Sequence, residues 1–272
     1  MAIPDVSSRS IAELISLAGK SAVVTGGAQG LGKAITRRFA EAGAKVLIGD
    51  YNAEGATATA AELSAATGGD VRATRVDVRD SASVDALAAK AVADFGGIDI
   101  WVNNAGVYPT TEILSMSDAD WDDVVAINLR GTFSGSRTAA RHMVERGQGG
   151  VIINLSSIAG FRAFGPGLAH YTATKTAVRG LTMSLAVELG PHGIRALALA
   201  PTLIVTEGIA ASREEHEDSG LAEAQDQLVQ QHPLKRLGVP DDVARVALFC
   251  ASDLSLLMSG STLLIDAGLM AL

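Results

Sequence analysis

This chain is poor in cysteine, in aromatic residues and in long apolar runs, and each shortage excludes something. Cys250 is the only cysteine among 272 residues, so no internal disulfide, thiolate zinc cluster or Cys-x-x-Cys redox pair can form. A reducing compartment, the cytoplasm, is expected. No stretch of about 18 uncharged apolar residues occurs, and the N-terminal MAIPDVSSRSIAELISLAGK is broken by Glu13 before it makes a signal-peptide core. The reading is a soluble protein with no membrane partner. Lys and Arg number 22 against 30 acidic residues, a net charge of −8 that argues against a phosphate-backbone binder, so no nucleic-acid partner is expected. His142, His170, His192, His216 and His232 are scattered with no i, i+3 or i+4 pairing, read as loop or surface positions, and imply no metal.

What is present is a core-forming 48% of apolar residues arranged as short β-rich runs alternating with helical periodicity. Strands are expected near residues 21–25, 45–49, 71–76, 98–103, 151–155, 194–198 and 262–265. Helices should open near Gly30, Ala53, Ser81, Ala119, Ala169 and Pro240. Alternation of this kind gives an α/β class, a doubly wound parallel seven-stranded sheet with helices on both faces. Ser10-x-x-Glu13 is a capping box, so a short helix is expected within an N-terminal extension, 1–18, ahead of a single domain, 19–272. A substrate-loop segment is assigned to 203–232, and its charged stretch SREEHEDSG, 212–220, reads as mobile. Asn154-Leu155-Ser156 matches the glycosylation pattern but falls in an apolar run expected to be a buried strand.

The run Val23-Val24-Thr25-Gly26-Gly27-Ala28-Gln29-Gly30-Leu31-Gly32 follows the first strand and leads into a helix. Glycine allows positive φ and close backbone approach, while a helix start offers unpaired N–H groups and a positive dipole end to a diphosphate. The spacing is Gly-x-x-x-Gly-x-Gly, so a ligand-free glycine turn is the competing reading. Asp50, ending the second strand, favours the ligand, because its carboxylate can accept from a ribose 2′-hydroxyl and would repel a 2′-phosphate. With Tyr51 next to it and Gln29 in the loop, no adjacent cation offers itself to NADP, so NAD is the expected cofactor.

Tyr171-Thr172-Ala173-Thr174-Lys175 sets a phenol and an ammonium one helical turn apart on one face. The ammonium, with the charge of an oxidised nicotinamide, should favour phenolate and suit Tyr171 to acid/base work. Ser156 and Ser157 end the fifth strand, where ligands gather in open α/β sheets.

TGGAQGLG, Asp50, Asp77, Asn103-Asn104-Ala105-Gly106, Asn128, Ser157, YTATK and PTLIVT together resemble the short-chain dehydrogenase/reductase family over Gly19 to Gly268. The resemblance implies a Rossmann-type fold and hydride transfer between NAD and a secondary alcohol or ketone. It implies Tyr171 as general acid/base, Lys175 as the residue that lowers its pKa and binds the nicotinamide ribose, Ser157 on the substrate oxygen and Asn128 in proton relay. It places Gly26, Gln29, Gly30, Leu31 and Gly32 at the diphosphate, Asp50 and Tyr51 at the ribose, and Asp77 and Val78 at adenine. Asn104, Ala105 and Gly106 border the adenosine ribose, and Pro201, Thr202, Ile204 and Thr206 hold the carboxamide of nicotinamide. Two departures stand out: Thr202 replaces the usual glycine, and one extra residue separates Ser157 from Tyr171, which should bulge only the loop between them.

Substrate is expected against Val107, Tyr108, Ser157, Phe161, Phe164 and the connection 207–231, an apolar surface where Arg162 either meets a carboxylate or faces solvent. Cys250 reads as a buried, inert thiol. Family members pair through helices corresponding here to 119–146 and 169–189, which implies a homotetramer or dimer, with the apolar tail 269–272 packed on a neighbour. The rival reading is a non-catalytic NAD-binding regulator of the same fold; a complete Tyr, Lys, Ser and Asn set speaks against it.

Overall fold

The structure, a computed structural model, describes residues 4–206 and 229–272. Seven strands form one parallel sheet in the order β3-β2-β1-β4-β5-β6-β7. They are β1 Ser21–Thr25, β2 Lys45–Asp50, β3 Val71–Arg75, β4 Ile100–Asn103, β5 Gly150–Leu155, β6 Ile194–Pro201 and β7 Thr262–Ile265. β1, β4 and β6 are buried throughout, as continuous apolar runs must be when helices cover both faces.

Successive side chains point to opposite faces, and the core divides accordingly. On one face Ala22, Val24, Val46 and Ile48 pack with Ile35 and Phe39 of α2 (Gly30–Glu41), Leu63 of α3 (Ala53–Thr67) and Val243 of a late helix, Pro240–Ala251. On the other, Val23, Leu47, Trp101 and Ile152 meet Leu87 of α4 (Ser81–Phe95) and Met143 of α6 (Gly131–Arg146). A short α1 (Ile11–Ile15) carries the expected capping box, Ser10 with Glu13. Leu17 behind it is buried in the core, while α1 itself buries no residue.

The stretch expected as one helix from Ala119 is interrupted. α5 (Asp118–Val125) starts on a Ser117/Asp120 capping box, and a π turn, Ala126–Arg130, precedes α6. α7 (Ala169–Leu189) lies over β6, and the helix Pro240–Ala251 is α8. Strand order reverses direction between β1 and β4, and that switch opens a crevice at the strands' carboxyl ends. Most of the proposed substrate loop, 207–228, including SREEHEDSG, lies outside the described residues.

Candidate active site

A cleft of about 930 Å³ fills the crevice. Its floor begins with the glycine turn. Gly26 has φ +66°, and a Cβ there would stand 2.9 Å from Ala105 Cα, so only glycine lets the β1 and β4 turns touch. Asn104 locks the contact: its Nδ2 donates to Thr25 O at 2.9 Å and Gly26 O at 2.8 Å, and the N–H groups of Asn104 and Ala105 both donate to Thr25 Oγ1 at 3.1 Å. Gly32 sits beneath the turn, where a Cβ would fall 2.1 Å from Gly26 O, and it does not line the cleft. Gln29 caps α2 without any side-chain hydrogen bond, and Gln29, Gly30 and Leu31 line the cleft. The residues fit a dinucleotide: an uncapped twelve-residue helix start with no acidic first turn, and a cradle that a Cβ would fill.

Asp50 lines the same cleft. Its Oδ2 accepts from Ala28 N–H and its Oδ1 from Asn52 N–H, both at 2.9 Å, which ties β2 to the glycine turn. Sequence reasoning missed the surroundings of Tyr51. Arg75 and Arg79 lie over its exposed ring, at 4.8 and 5.8 Å, and Arg79 also pairs with Asp77 at 2.7 Å, which holds that carboxyl below its ordinary range. Val78 completes this end.

At the other end stand Ser157, Tyr171 and Lys175. α7 carries the last two on one face, as their spacing requires. Lys175 is buried and its Nζ donates to Leu155 O at 2.7 Å, lying 5.6 Å from the Tyr171 ring centre. Burial lowers its pKa from 10.5 to about 8. The Tyr171 phenol is raised above 10, chiefly by burial, against a hydrogen bond with Ser157 that lowers it. In the protein alone the shift is upward, because desolvation outweighs the Ser157 hydrogen bond; the lowering expected from the sequence also draws on the charge of a bound nicotinamide.

The two serines separate cleanly. Ser156 Oγ is spent on Lys175 O at 2.9 Å, whereas Ser157 faces Tyr171 and caps the turn Ile158–Gly160. Asn128 does not line the cleft. It sits buried in the π turn, its Oδ1 accepting from Val107 N–H and its Nδ2 donating to Val107 O, both at 2.8 Å. A Cβ on Gly106 would lie 3.2 Å from Asn128 Oδ1 and 3.6 Å from Lys175 Nζ, so both side chains converge beside Gly106.

Pro201, Thr202, Ile204 and Thr206 line the wall after β6. Thr202, where glycine was expected, is anchored by its N–H to Ile265 O at 3.0 Å and by Oγ1 to His232 Nε2 at 2.8 Å. Val107, Tyr108 and Phe164 line the substrate end. Phe161 does not; Arg179 stacks on its ring at 3.4 Å and holds it away, while Arg162 stacks on Phe164 at 4.7 Å. Ile158 and Leu168, unmarked by any motif, and Leu203 of the PTLIVT segment line the cleft instead.

One further expectation needs correction. His170 and His232 are fully buried and not surface residues, because each ring finds a polar partner inside the protein. In the tail, Leu269 is buried and lines the cleft, while Ala271 and Leu272 are exposed. No group of metal-ligating side chains occurs among the described residues, and none of their helices is long and apolar enough to cross a membrane.

A doubly wound sheet whose switch-point crevice holds a glycine cradle at one end and a tyrosine beside a buried lysine at the other defines a nucleotide-dependent oxidoreductase. Residues 26–270 match the family described as enoyl-(acyl carrier protein) reductase. The chain is 40% identical over 253 residues to 3beta-hydroxysteroid dehydrogenase 2 of Eggerthella lenta, covering 93% of this chain and 95% of that one. It is 41% identical over 256 residues to D-threitol dehydrogenase of Mycolicibacterium smegmatis, covering 93% of each. A crystal structure described as an NAD(P)-dependent gluconate 5-dehydrogenase from Beutenbergia cavernae, with NADP bound at low occupancy, superposes with a TM-score of 0.86 at 34% identity, covering 95% of this chain and 100% of that one. The chain belongs to the short-chain dehydrogenase/reductase family. It is an oxidoreductase acting on CH–OH groups, and the family uses NAD(P).

Proposed function

We propose that the protein is an NAD-dependent dehydrogenase of a secondary alcohol, or reductase of the matching ketone, with Tyr171 as the group that takes and returns the hydroxyl proton. The observation that carries this is the placement of Ser157, Tyr171 and Lys175 together in the cleft wall, with Lys175 Nζ 5.6 Å from the Tyr171 ring centre. A bound nicotinamide supplies the hydride acceptor or donor. Tyr171 transfers the proton; Ser157 holds the substrate oxygen; Lys175 binds the nicotinamide ribose and favours phenolate once a second positive charge is near. Asn128 holds the Val107 backbone and stands where a relay from Lys175 would begin. The glycine turn, Asp77 with Val78, and the wall from Pro201 to Thr206 hold the dinucleotide, and Val107, Tyr108 and Phe164 bind substrate.

NAD is preferred because the Asp50 carboxylate has no ion-pair partner among the described residues, while of the two cations beside it Arg79 is paired with Asp77 and Arg75 lies over the Tyr51 ring. Steady-state rates with both cofactors test this: an NADP preference of roughly tenfold or more in kcat/KM overturns it. A panel of steroids, polyols, sugars and hydroxy acids followed by NADH absorbance tests the activity, with Tyr171→Phe as control; turnover retained by that variant overturns the role of Tyr171. The domain division and cytoplasmic location stay as read from the sequence. Association through α6 and α7 into a homotetramer is supported by exposed Phe133, Val144, Met183 and Val187. A monomer in sedimentation at micromolar concentration contradicts it.

A further inference from the structure

We infer that His170 is a positioning residue for Tyr171, a role resting on the acid/base reading of that tyrosine. α7 opens at Leu168, an N-cap whose side chain offers no acceptor. The first intrahelical bond runs from Thr172 N–H to Leu168 O at 2.8 Å, so the Tyr171 N–H belongs to the unpaired set at the helix start. His170 Nδ1 accepts that N–H at 2.8 Å. Thr174 Oγ1 donates to Tyr171 O at 2.8 Å, so side chains hold both backbone groups of the tyrosine.

This arrangement carries a cost that packing alone does not explain. The His170 ring is fully buried, and because Nδ1 accepts, a neutral ring keeps its proton on Nε2, which finds no hydrogen-bond partner among the described residues. An aliphatic side chain would fill the same space without an orphaned N–H. What only an acceptor at that position supplies is the closure of the first turn of α7. That turn sets the origin of the Tyr171 side chain against Ser157, and Lys175 one turn on is pinned separately through Ser156 and Leu155.

The test compares His170→Leu, which removes the acceptor, with His170→Asn, whose Oδ1 can replace it, and uses two readouts. Amide hydrogen exchange over 168–175 should quicken roughly tenfold in the Leu variant and stay near wild type in the Asn variant. kcat should fall roughly 10- to 100-fold in the Leu variant with NAD affinity unchanged, and recover in the Asn variant. His170→Ala replaces the Leu variant should that fail to fold. Wild-type kcat in the Leu or Ala variant, or an Asn variant as slow as they are, overturns the inference; faster exchange without loss of kcat reduces His170 to a helix cap and overturns it as well. Tyr171→Phe run alongside separates the two readings. If it is inactive while His170→Leu is fully active, only the positioning role falls; if it is active, the acid/base role falls.

Discussion

Replacing Lys175 by Met should stabilise the protein while abolishing turnover. Burial lowers the pKa of the ammonium from 10.5 to about 8, and that difference, 10.5 less 8, is a penalty of about 3 kcal/mol on the charged form in the folded chain. Between those values the unfolded chain binds the proton and the folded chain does not, so stability rises with pH across that window. At pH 7 the penalty is present in full. Methionine carries no charge and nearly fills the volume, but it abandons the bond from Nζ to Leu155 O, which costs about 1 kcal/mol. The net gain is about 2 kcal/mol, or roughly 4–8 °C in Tm. Unfolding of both proteins at one protein concentration, at pH 7 and again near pH 10, measures it. The variant should lead at pH 7, and the gap should close or invert by pH 10. A variant no more stable than wild type at pH 7, with a gap indifferent to pH, refutes the argument.

Gly32→Ala places a Cβ 2.1 Å from Gly26 O, which must displace the glycine turn, and NAD affinity by calorimetry should fall more than roughly tenfold. Arg195 donates to the carbonyls of Cys250, Ser252, Ser255 and Met258, closing the end of α8 from β6. Arg195→Leu orphans those acceptors and should cost about 2–4 kcal/mol in guanidinium unfolding. Burial pushes the Cys250 thiol up to about 12, so iodoacetamide at pH 8 should leave it unlabelled until the protein unfolds. Rapid labelling of the folded chain would contradict its buried placement.

The sheet was legible because burial on both faces writes each strand as an apolar run. β1 and β7 match expectation to the residue, while β4 begins at Ile100 and not Ile98. Periodicity reports burial, and Ile98 is buried, but the ladder with β1 starts where Ala22 meets Ile100. β6 runs on to Pro201, past the expected Ala198, because its pairing with β7 reaches Ile265. The π turn at Asn128 accompanies a side chain bonded to Val107, 21 residues away. Phe161 was assigned to the substrate surface on aromatic character alone, and the Arg179 guanidinium that removes it comes from α7.

Much of what escaped the sequence is of one kind: polar side chains whose partner is distant along the chain or supplied by the backbone. His232 read as a surface residue until Thr202, thirty positions earlier, was seen to bond its Nε2. The same pair explains why threonine is tolerated where glycine is usual. Its N–H joins β7 and its hydroxyl is consumed by the histidine, so the conformational freedom that glycine would contribute is replaced by two fixed hydrogen bonds. Lys175, His170 and Thr202 thus share a logic. Each would be a poor choice by burial or backbone preference alone, and each is held beside the cleft by a bond that a simpler residue could not make.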